Sequence, residues 1–459
     1  MKYKTYIVLL FAIITISIPA CKIGKVHKLP EMEVPQSFDT QGLEEGVAAD
    51  IGWSTLYSDS ILQKLIATAL EYNKDMLIAT ARIKEMAAAK RIKFAGIFPE
   101  IGAQVSGDRE YLNHGGSVPK YASEQNVRLT FGWELDLWGN LRWQNEAGIS
   151  AYMQSVEAQR ALRLTIISQV AQDYFELKAL DRKYNIVAQT VEARKAAVHF
   201  AKLRYEGGLT SEIPYRQSLV ELARTEAMIP KLENEIKLKE NGLSLLLGKF
   251  PAEIQREQNI TRFAIAEDLP IDIPSSLLKR RPDVRLAEQQ LREANAKVGV
   301  ALTDMFPRIR LTGSAGVEND ELANFLKSPA WYILGSITEP VFSMGKKNAT
   351  HRAAQAAYEQ EVFRYEQKVL EVFREVNNAI TAFRKTKEMY HSTETLYQSA
   401  NSYHELALLQ YINGVISYMD VLDSQRQLFD AEIALNDALL DQLNATVQLY
   451  KALGGGVNQ

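Results

Sequence analysis

The sequence predicts a mainly α chain with a small transmembrane β part, laid out as two copies of one unit. Three observations predict it. Residues 149–206 and 346–413 contain no glycine or proline, and each stretch is several times the ordinary helix length of about 10–14 residues. The segment "NVRLTFGWELDLW", 126–138, alternates polar and apolar residues without a break, which is the period of a strand. Finally, the same features recur in the same order at a spacing of about 206 to 208 residues.

The chain opens on a signal peptide, 1–20. Lys2 and Lys4 precede an apolar run over 7–18, which is short of the about 20 residues a spanning helix needs. It ends at Cys21, the only cysteine, so no intrachain disulfide can form. "IPAC" resembles a bacterial lipobox, in which Cys21 would be acylated; the other reading is an ordinary cleavage site. Pro19 departs from the small residue usual in a lipobox. Residues 21–55 read as an N-terminal lipidated tether, extended over 22–35. Lys and Arg (53) nearly balance Asp and Glu (56), which argues against a nucleic-acid partner, since that would favour a basic patch. No later stretch is apolar enough to cross a bilayer as a helix, so entry into a membrane requires a closed β-barrel.

The first repeat spans 56–247: helices, a β-hairpin over 99–138, and a long helical hairpin with its tip near 208. A linker with four prolines occupies 248–282. The second repeat spans 283–453, with a β-hairpin over 307–342 and a tip near 414; 454–459 is a tail. "GIFPEIGAQVSG" at Gly96 answers "DMFPRIRLTGSAG" at Asp304, and "LDLWGN" at Leu135 answers "VFSMGK" at Val341. "YEGGLTSEI" at Tyr205 answers "YINGVISYM" at Tyr411.

In the first hairpin Val127, Leu129, Phe131, Trp133, Leu135 and Leu137 share one face, against Asn126, Arg128, Thr130, Gly132, Glu134 and Asp136. One face must meet water while the other carries aromatics, as in a membrane barrel strand. Half-buried hairpins on a soluble helical body would alternate too. Length, the signal peptide and Trp133, Trp138 and Trp331 at interfacial positions favour the membrane. Four strands cannot close a barrel when the smallest have about eight, so membrane strands here require an oligomer. The return helices cover 211–247 and 417–453. Pro230 should kink the first, where the second has Asn436.

No catalytic chemistry is legible. The six histidines are scattered without metal-ligand spacing, and no glycine run forms a phosphate loop. "RRPD" at 280–283 reads as a helix start, and "LGGG" from Leu453 as a C-cap and frayed tail.

With "WELDLWGNLR" from Trp133, "LLKRRPDVRLAEQQLREANAKVGVA" from Leu277, "FPRIRLTGSAG" from Phe306 and the duplicated glycine break, the chain resembles the TolC-like outer membrane factors. It is similar to the lipoprotein branch that serves resistance-nodulation-division efflux systems. The resemblance implies a homotrimer with a 12-stranded β-barrel in the outer membrane and a 12-helix α-barrel in the periplasm. It implies a passive efflux duct, without enzyme activity or cofactor, working with a periplasmic adaptor and an inner-membrane pump. A type I protein-secretion duct would share the fold. A lipid-anchored coiled-coil scaffold or adhesin without a pore would share the residue patterns.

At each break Gly208 or Gly414 can take the left-handed conformation that ends a helix, and Ser211 or Ser417 can cap the next one. The resemblance implies that Gly208, Leu209, Thr210, Ser211 and Gly414, Val415, Ile416, Ser417 meet the adaptor. Asp420 and Asp423 lie three apart on one helix face, where capping and dipole stabilisation would explain them. The resemblance instead implies a periplasmic gate: the two aspartates at an inner constriction, with Tyr411 tying the inner helix to its neighbours. A three-fold ring of carboxylates would favour cations and raise some of their pKa values. Ile416 stands where the family pattern has a basic residue, and Ile213-Pro214 where it has a polar residue and a carboxylate. Pro214 and Gln217 occupy the positions that answer Asp420 and Asp423, so the carboxylates belong to one hairpin only.

Overall fold

Helix and strand follow the glycine and proline punctuation closely. In the computed structural model the described residues are 22–35, 52–112, 120–256, 274–319, 324, 327–340 and 342–455. The signal peptide, the acylation assigned to Cys21, most of the linker and residues 456–459 lie outside them. In chain order the elements are α1 (Trp53–Leu56), α2 (Ser60–Tyr72), α3 (Lys74–Ala95), β1 (Glu100–Leu112), β2 (Lys120–Leu135), α4 (Asn140–Glu206), α5 (Ile213–Glu226) and α6 (Met228–Leu246). Then come α7 (Pro274–Arg280), α8 (Pro282–Thr303), β3 (Arg308–Asn319), β4 (Pro329–Thr338), α9 (Lys346–Ile412) and α10 (Tyr418–Ala452).

The long helices α4 and α9 have 67 residues each, about 100 Å at 1.5 Å per residue. α4 starts nine residues before the glycine-free stretch and runs through Gly148, where an added Cβ would make only ordinary van der Waals contact with Lys93 and Lys90. The first return helix is interrupted for one residue, Ala227, which keeps right-handed helical dihedrals at φ −64 and ψ −19, as at a proline kink. It stops at Glu226 and restarts at Met228, since the ring of Pro230 clashes with the carbonyl four residues earlier. α10 runs unbroken, and its Asn436 is fully buried, with Nδ2 donating to the Ala179 carbonyl at 3.0 Å.

The chain forms two compact units, each drawing on both halves of the sequence. Of the described residues, the first takes 22–31 with those of 82–156 and 286–366. It holds one antiparallel sheet in the order β1-β2-β3-β4. The sheet is inside-out for a soluble protein: Val105, Trp331 and Ile337 are more than 70% exposed, while Asn126 and Ser314 are buried. Arg128 pairs with Glu124 and Glu318 on the polar side. Trp133 and Trp138 sit at one end of the sheet and Trp331 at the other. No helix among the described residues is long and apolar enough to cross a membrane.

"WELDLWGNLR" gains a physical meaning at the β2–α4 junction. Asp136 accepts from the N–H groups of Leu141 and Arg142, each at 3.0 Å, and so caps α4 from a distance. Asn140 donates to the Val300 carbonyl, Thr303 and Asp304, fixing α4 to α8. Trp143 is buried, with Nε1 donating to the Ile23 carbonyl at 2.7 Å. The start of the tether is therefore docked, although 22–35 has no helix or strand. Gly299 is required opposite: a Cβ there would fall inside the Trp143 ring.

The second unit takes the described residues of 32–81, 157–285 and 367–455. Its core includes Tyr57, Leu62, Ile66, Tyr174, Phe175, Leu243, Val376, Val447 and Tyr450. Asp59 caps α2, accepting from Ile61 and Leu62 N–H and from the Tyr174 hydroxyl. Burial opposes its charge, yet those donors and Lys178 hold the carboxyl below its usual value. Pro282 opens α8 as the sequence indicates, but Arg281 does more. Its buried guanidinium donates to Asp283, to Glu375 at 2.6 Å and to the Ala452 carbonyl at 2.9 Å, closing the end of α10. Gly454 caps that end at φ +70, and Gly454 and Gly455 are buried against Arg281 and Tyr450. These two residues are packed, where fraying is expected from the sequence.

Arg281→Ala should cost about 1–3 kcal/mol, because it leaves the buried Ala452 carbonyl without its donor, and Arg281→Lys should not restore the loss, lacking the fork that reaches three acceptors. Gly299→Val should cost about 1–3 kcal/mol by overpacking against Trp143. Unfolding of the purified protein in detergent, monitored by circular dichroism, measures both.

Candidate functional site

The two turns that reverse the long helices are alike in backbone and unlike in the helices they start. Gly208 and Gly414 sit at φ +68 and +74, and a Cβ at either would meet nothing within 4 Å. Each turn closes in the same way, Gly208 N–H donating to the Tyr205 carbonyl and Gly414 N–H to that of Tyr411, each at 3.0 Å. Leu209 and Val415 beyond them are largely exposed. Thr210 and Ile416 are half-buried, and Ser211 and Ser417 are exposed.

Ser417 caps α10 as expected. Its N–H and hydroxyl both donate to Asp420, at 2.9 and 2.7 Å, in a reciprocal capping box. Ser211 does not cap. α5 starts at Ile213 with Glu212 at its N-cap and no side-chain cap, Pro214 supplying a preset backbone in the first turn.

Asp420 is exposed, and the Ser417 hydroxyl and N–H hold its carboxyl below the usual range. Within one chain this opposes the upward shift a carboxylate ring would impose. Asp423 accepts from Arg426 at 3.1 Å and Gln427 at 2.7 Å, both on its own helix. The two carboxylates therefore share a helix face while holding separate partners.

Tyr411 is tied across the hairpins. Arg204 Nη1 donates to its hydroxyl at 2.6 Å, and the guanidinium lies 5.4 Å from the ring centroid. Tyr418 packs against Tyr411, ring centroids 5.5 Å apart, and its hydroxyl accepts from Ser218 at 3.4 Å. In the first turn Tyr205 stacks on Tyr215 instead. Between the hairpins lies a groove of about 600 Å³, lined among others by Phe200, Arg204, Leu209, Tyr411, Ile416 and Tyr418.

Sequence reasoning missed Arg204, Tyr418 and Arg194. Arg194 is buried, pairs with Glu221, donates to the Glu221 carbonyl at 2.7 Å and lies 5.4 Å from the Phe429 ring. The available signal for Arg204 was a broken echo: it stands beside Tyr205, where the second copy has Gln410 beside Tyr411. No cluster of three metal-ligating His, Cys, Asp or Glu occurs among the described residues.

Comparison with known proteins is consistent over most of the chain. The family described as outer membrane efflux protein matches residues 65–249 and 273–455. The toluene efflux pump outer membrane protein TtgI of Pseudomonas putida is 32% identical over 428 residues, 92% of this chain and 91% of that one. The cation efflux system protein CusC of Escherichia coli O157:H7 is 28% identical over 359 residues, 77% of each chain. The open-state crystal structure of the Neisseria gonorrhoeae MtrE outer membrane channel superposes with a TM-score of 0.89 at 28% identity, covering 95% of this chain and 99% of that one. A crystal structure of CusC gives 0.87 at 28% identity, covering 95% and 100%. The mainly helical chain with its four-stranded sheet has the fold of these trimeric channels, and it acts as an efflux channel of the outer membrane. The chain belongs to the outer membrane efflux protein family.

Proposed function

We propose that three copies of this chain form a passive duct that receives small molecules from an inner-membrane resistance-nodulation-division pump through a periplasmic adaptor. The observation that carries the reading is the pairing of an inside-out sheet with two matched 67-residue helices that end in open glycine turns. The sheet suits lipid on one face and water on the other. The turns present Leu209 and Val415 to a partner, with Gly208, Thr210, Ser211, Gly414, Ile416 and Ser417 around them. Acylation of Cys21 would anchor the segment whose next residues dock on Trp143. In this reading residues 56–247 and 283–453 are the two repeats, joined by the linker 248–282.

Tyr411, Asp420 and Asp423 form the gate. Arg204 holds Tyr411 in the closed arrangement, and opening requires breaking that charge-assisted bond and the capping of α10. Purified protein in planar lipid bilayers tests the channel: a scaffold without a pore gives no conductance. Asp420→Ala with Asp423→Ala should reduce cation selectivity, and unchanged reversal potentials would overturn the gate assignment. Arg204→Ala should raise the open-to-closed ratio about tenfold or more, since one charge-assisted bond contributes about 1.5–3 kcal/mol. Unaltered single-channel gating would exclude the tie as a latch.

A bulky charge, Gly208→Glu or Gly414→Glu, should abolish pump-dependent efflux while the trimer and its conductance persist. Normal drug tolerance in cells carrying either variant counts against docking at the turns. Because the folded-state pKa of Asp420 is lowered, its cap is present above the usual carboxylate range and is lost as pH falls through that lowered value. Hydrogen exchange over 417–421, corrected for intrinsic rate, should rise on acidification in the wild type, and Asp420→Asn should show the raised rate throughout.

A further inference from the structure

The two hairpins differ on the polar side of the sheet. At a displacement of 206 residues, Asn126 and Arg128 of β2 are answered by Tyr332 and Leu334 of β4. Asn126 is buried and hydrogen-bonded to Ser106 and Glu124, and Arg128 pairs with Glu124 and Glu318. Their counterparts are a phenol ring and an isobutyl group, 48% and 55% exposed.

The ladder fixes the face on which they stand. Tyr332 lies opposite Ser314, Ser314 opposite Thr130, and Thr130 opposite Gly102. Leu334 lies in the row of Thr312, Gly132 and Glu100. Directly opposed residues share a face, so both stand with Arg128 and Glu318, away from Trp331, Ile333 and Ile337. Parity therefore sets an aromatic and an aliphatic side chain on the face that meets water. The rest of the Tyr332 row is small, so nothing in it covers the ring. Thr312 Oγ1 donates to the Leu334 carbonyl at 3.4 Å and Ser336 Oγ to the Arg310 carbonyl at 3.3 Å, which ties the flanking hydroxyls to backbone. An apolar pair left in water contributes nothing to folding, but it stabilises an apolar solute in proportion to the area they cover together.

The charge of the face selects among such solutes. Among its described side chains are Glu100, Asp108, Glu110, Glu124, Glu134 and Glu318, against Arg128, Arg308 and Arg310. Carboxylates outnumber guanidiniums, so the face attracts cations, and a tyrosine ring receives a cation on its π-face. We propose that Tyr332 and Leu334 form a transit site for aromatic organic cations on the water-filled side of the sheet. The proposal rests on the channel reading and adds a cargo class to it. Weak contact suits a duct, because a solute held tightly would not leave.

Block of the ionic current through the protein in planar bilayers tests the site, with benzyltriethylammonium as the probe. It should reduce the current at severalfold lower concentration than tetraethylammonium, which lacks the ring, or benzenesulfonate, which reverses the charge. Tyr332→Ser should weaken that block about two- to fivefold, the effect of an exposed cation–π contact, and Tyr332→Phe should retain it. Leu334→Ser should weaken it in the same direction, and supplies a second variant should Tyr332→Ser fail to assemble. The Tyr332→Ser effect should persist when Asp420 and Asp423 are both alanine, since those residues lie outside the sheet. Equal block of the wild type and both serine variants overturns the site. Block by benzenesulfonate as strong as that by benzyltriethylammonium overturns the cation class. A wild type that conducts and is never blocked loses this proposal and keeps the channel reading, whereas one that does not conduct overturns both.

Discussion

The rest of the structure depends on backbone hydrogen bonding where water is absent. Four strands with apolar residues facing outward bury no core of their own, and their two outer edges carry unpaired amides. In hydrocarbon each such group costs several kcal/mol, so the single chain is incomplete by construction. The residues at the base of the sheet hold it firmly to the helices. Asp136 starts α4 directly after β2, Asn140 ties that start to α8, and Trp143 fills the space left by Gly299. The junction is stiff because three different kinds of contact converge within eight residues.

That junction also explains which parts of the fold were legible. Alternation of apolar and polar residues is a one-dimensional signal, and the strands appear where it predicts them. Length without glycine or proline is another, and α9 ends one residue short of the expected position. Contacts between distant segments leave no such trace. Nothing in the pattern announces that Arg281 closes the end of α10, or that α4 runs on through Gly148. The interruption of the first return helix at Ala227 was visible in the sequence as Pro230.

The candidate gate was partly legible for the same reason. Gly208 and Gly414 were readable from their own conformational needs, and Ser417 from its place before a helix. Ser211 offered the same local signal and failed, because Pro214 sets the first turn of α5 and starts it two residues later. Arg204 was silent in sequence, since its partner Tyr411 lies 207 positions away. A repeat is most informative where its echo breaks, as at Gln410 against Arg204 and at Pro214 against Asp420.

Those broken echoes divide labour between the hairpins. The first return helix is fixed by covalent geometry: Pro214 presets its start, and Pro230 forces the interruption at Ala227. The second is continuous and is fixed at its start by polar contacts, Asp420 with Ser417 and Tyr411 with Arg204. Ring constraints cannot be undone by a partner or by solvent, whereas exposed charge-assisted bonds exchange readily with water. If one hairpin moves while the other serves as its frame, physical chemistry assigns the motion to α9 and α10, the pair whose turn is held by interactions that a docking protein can replace.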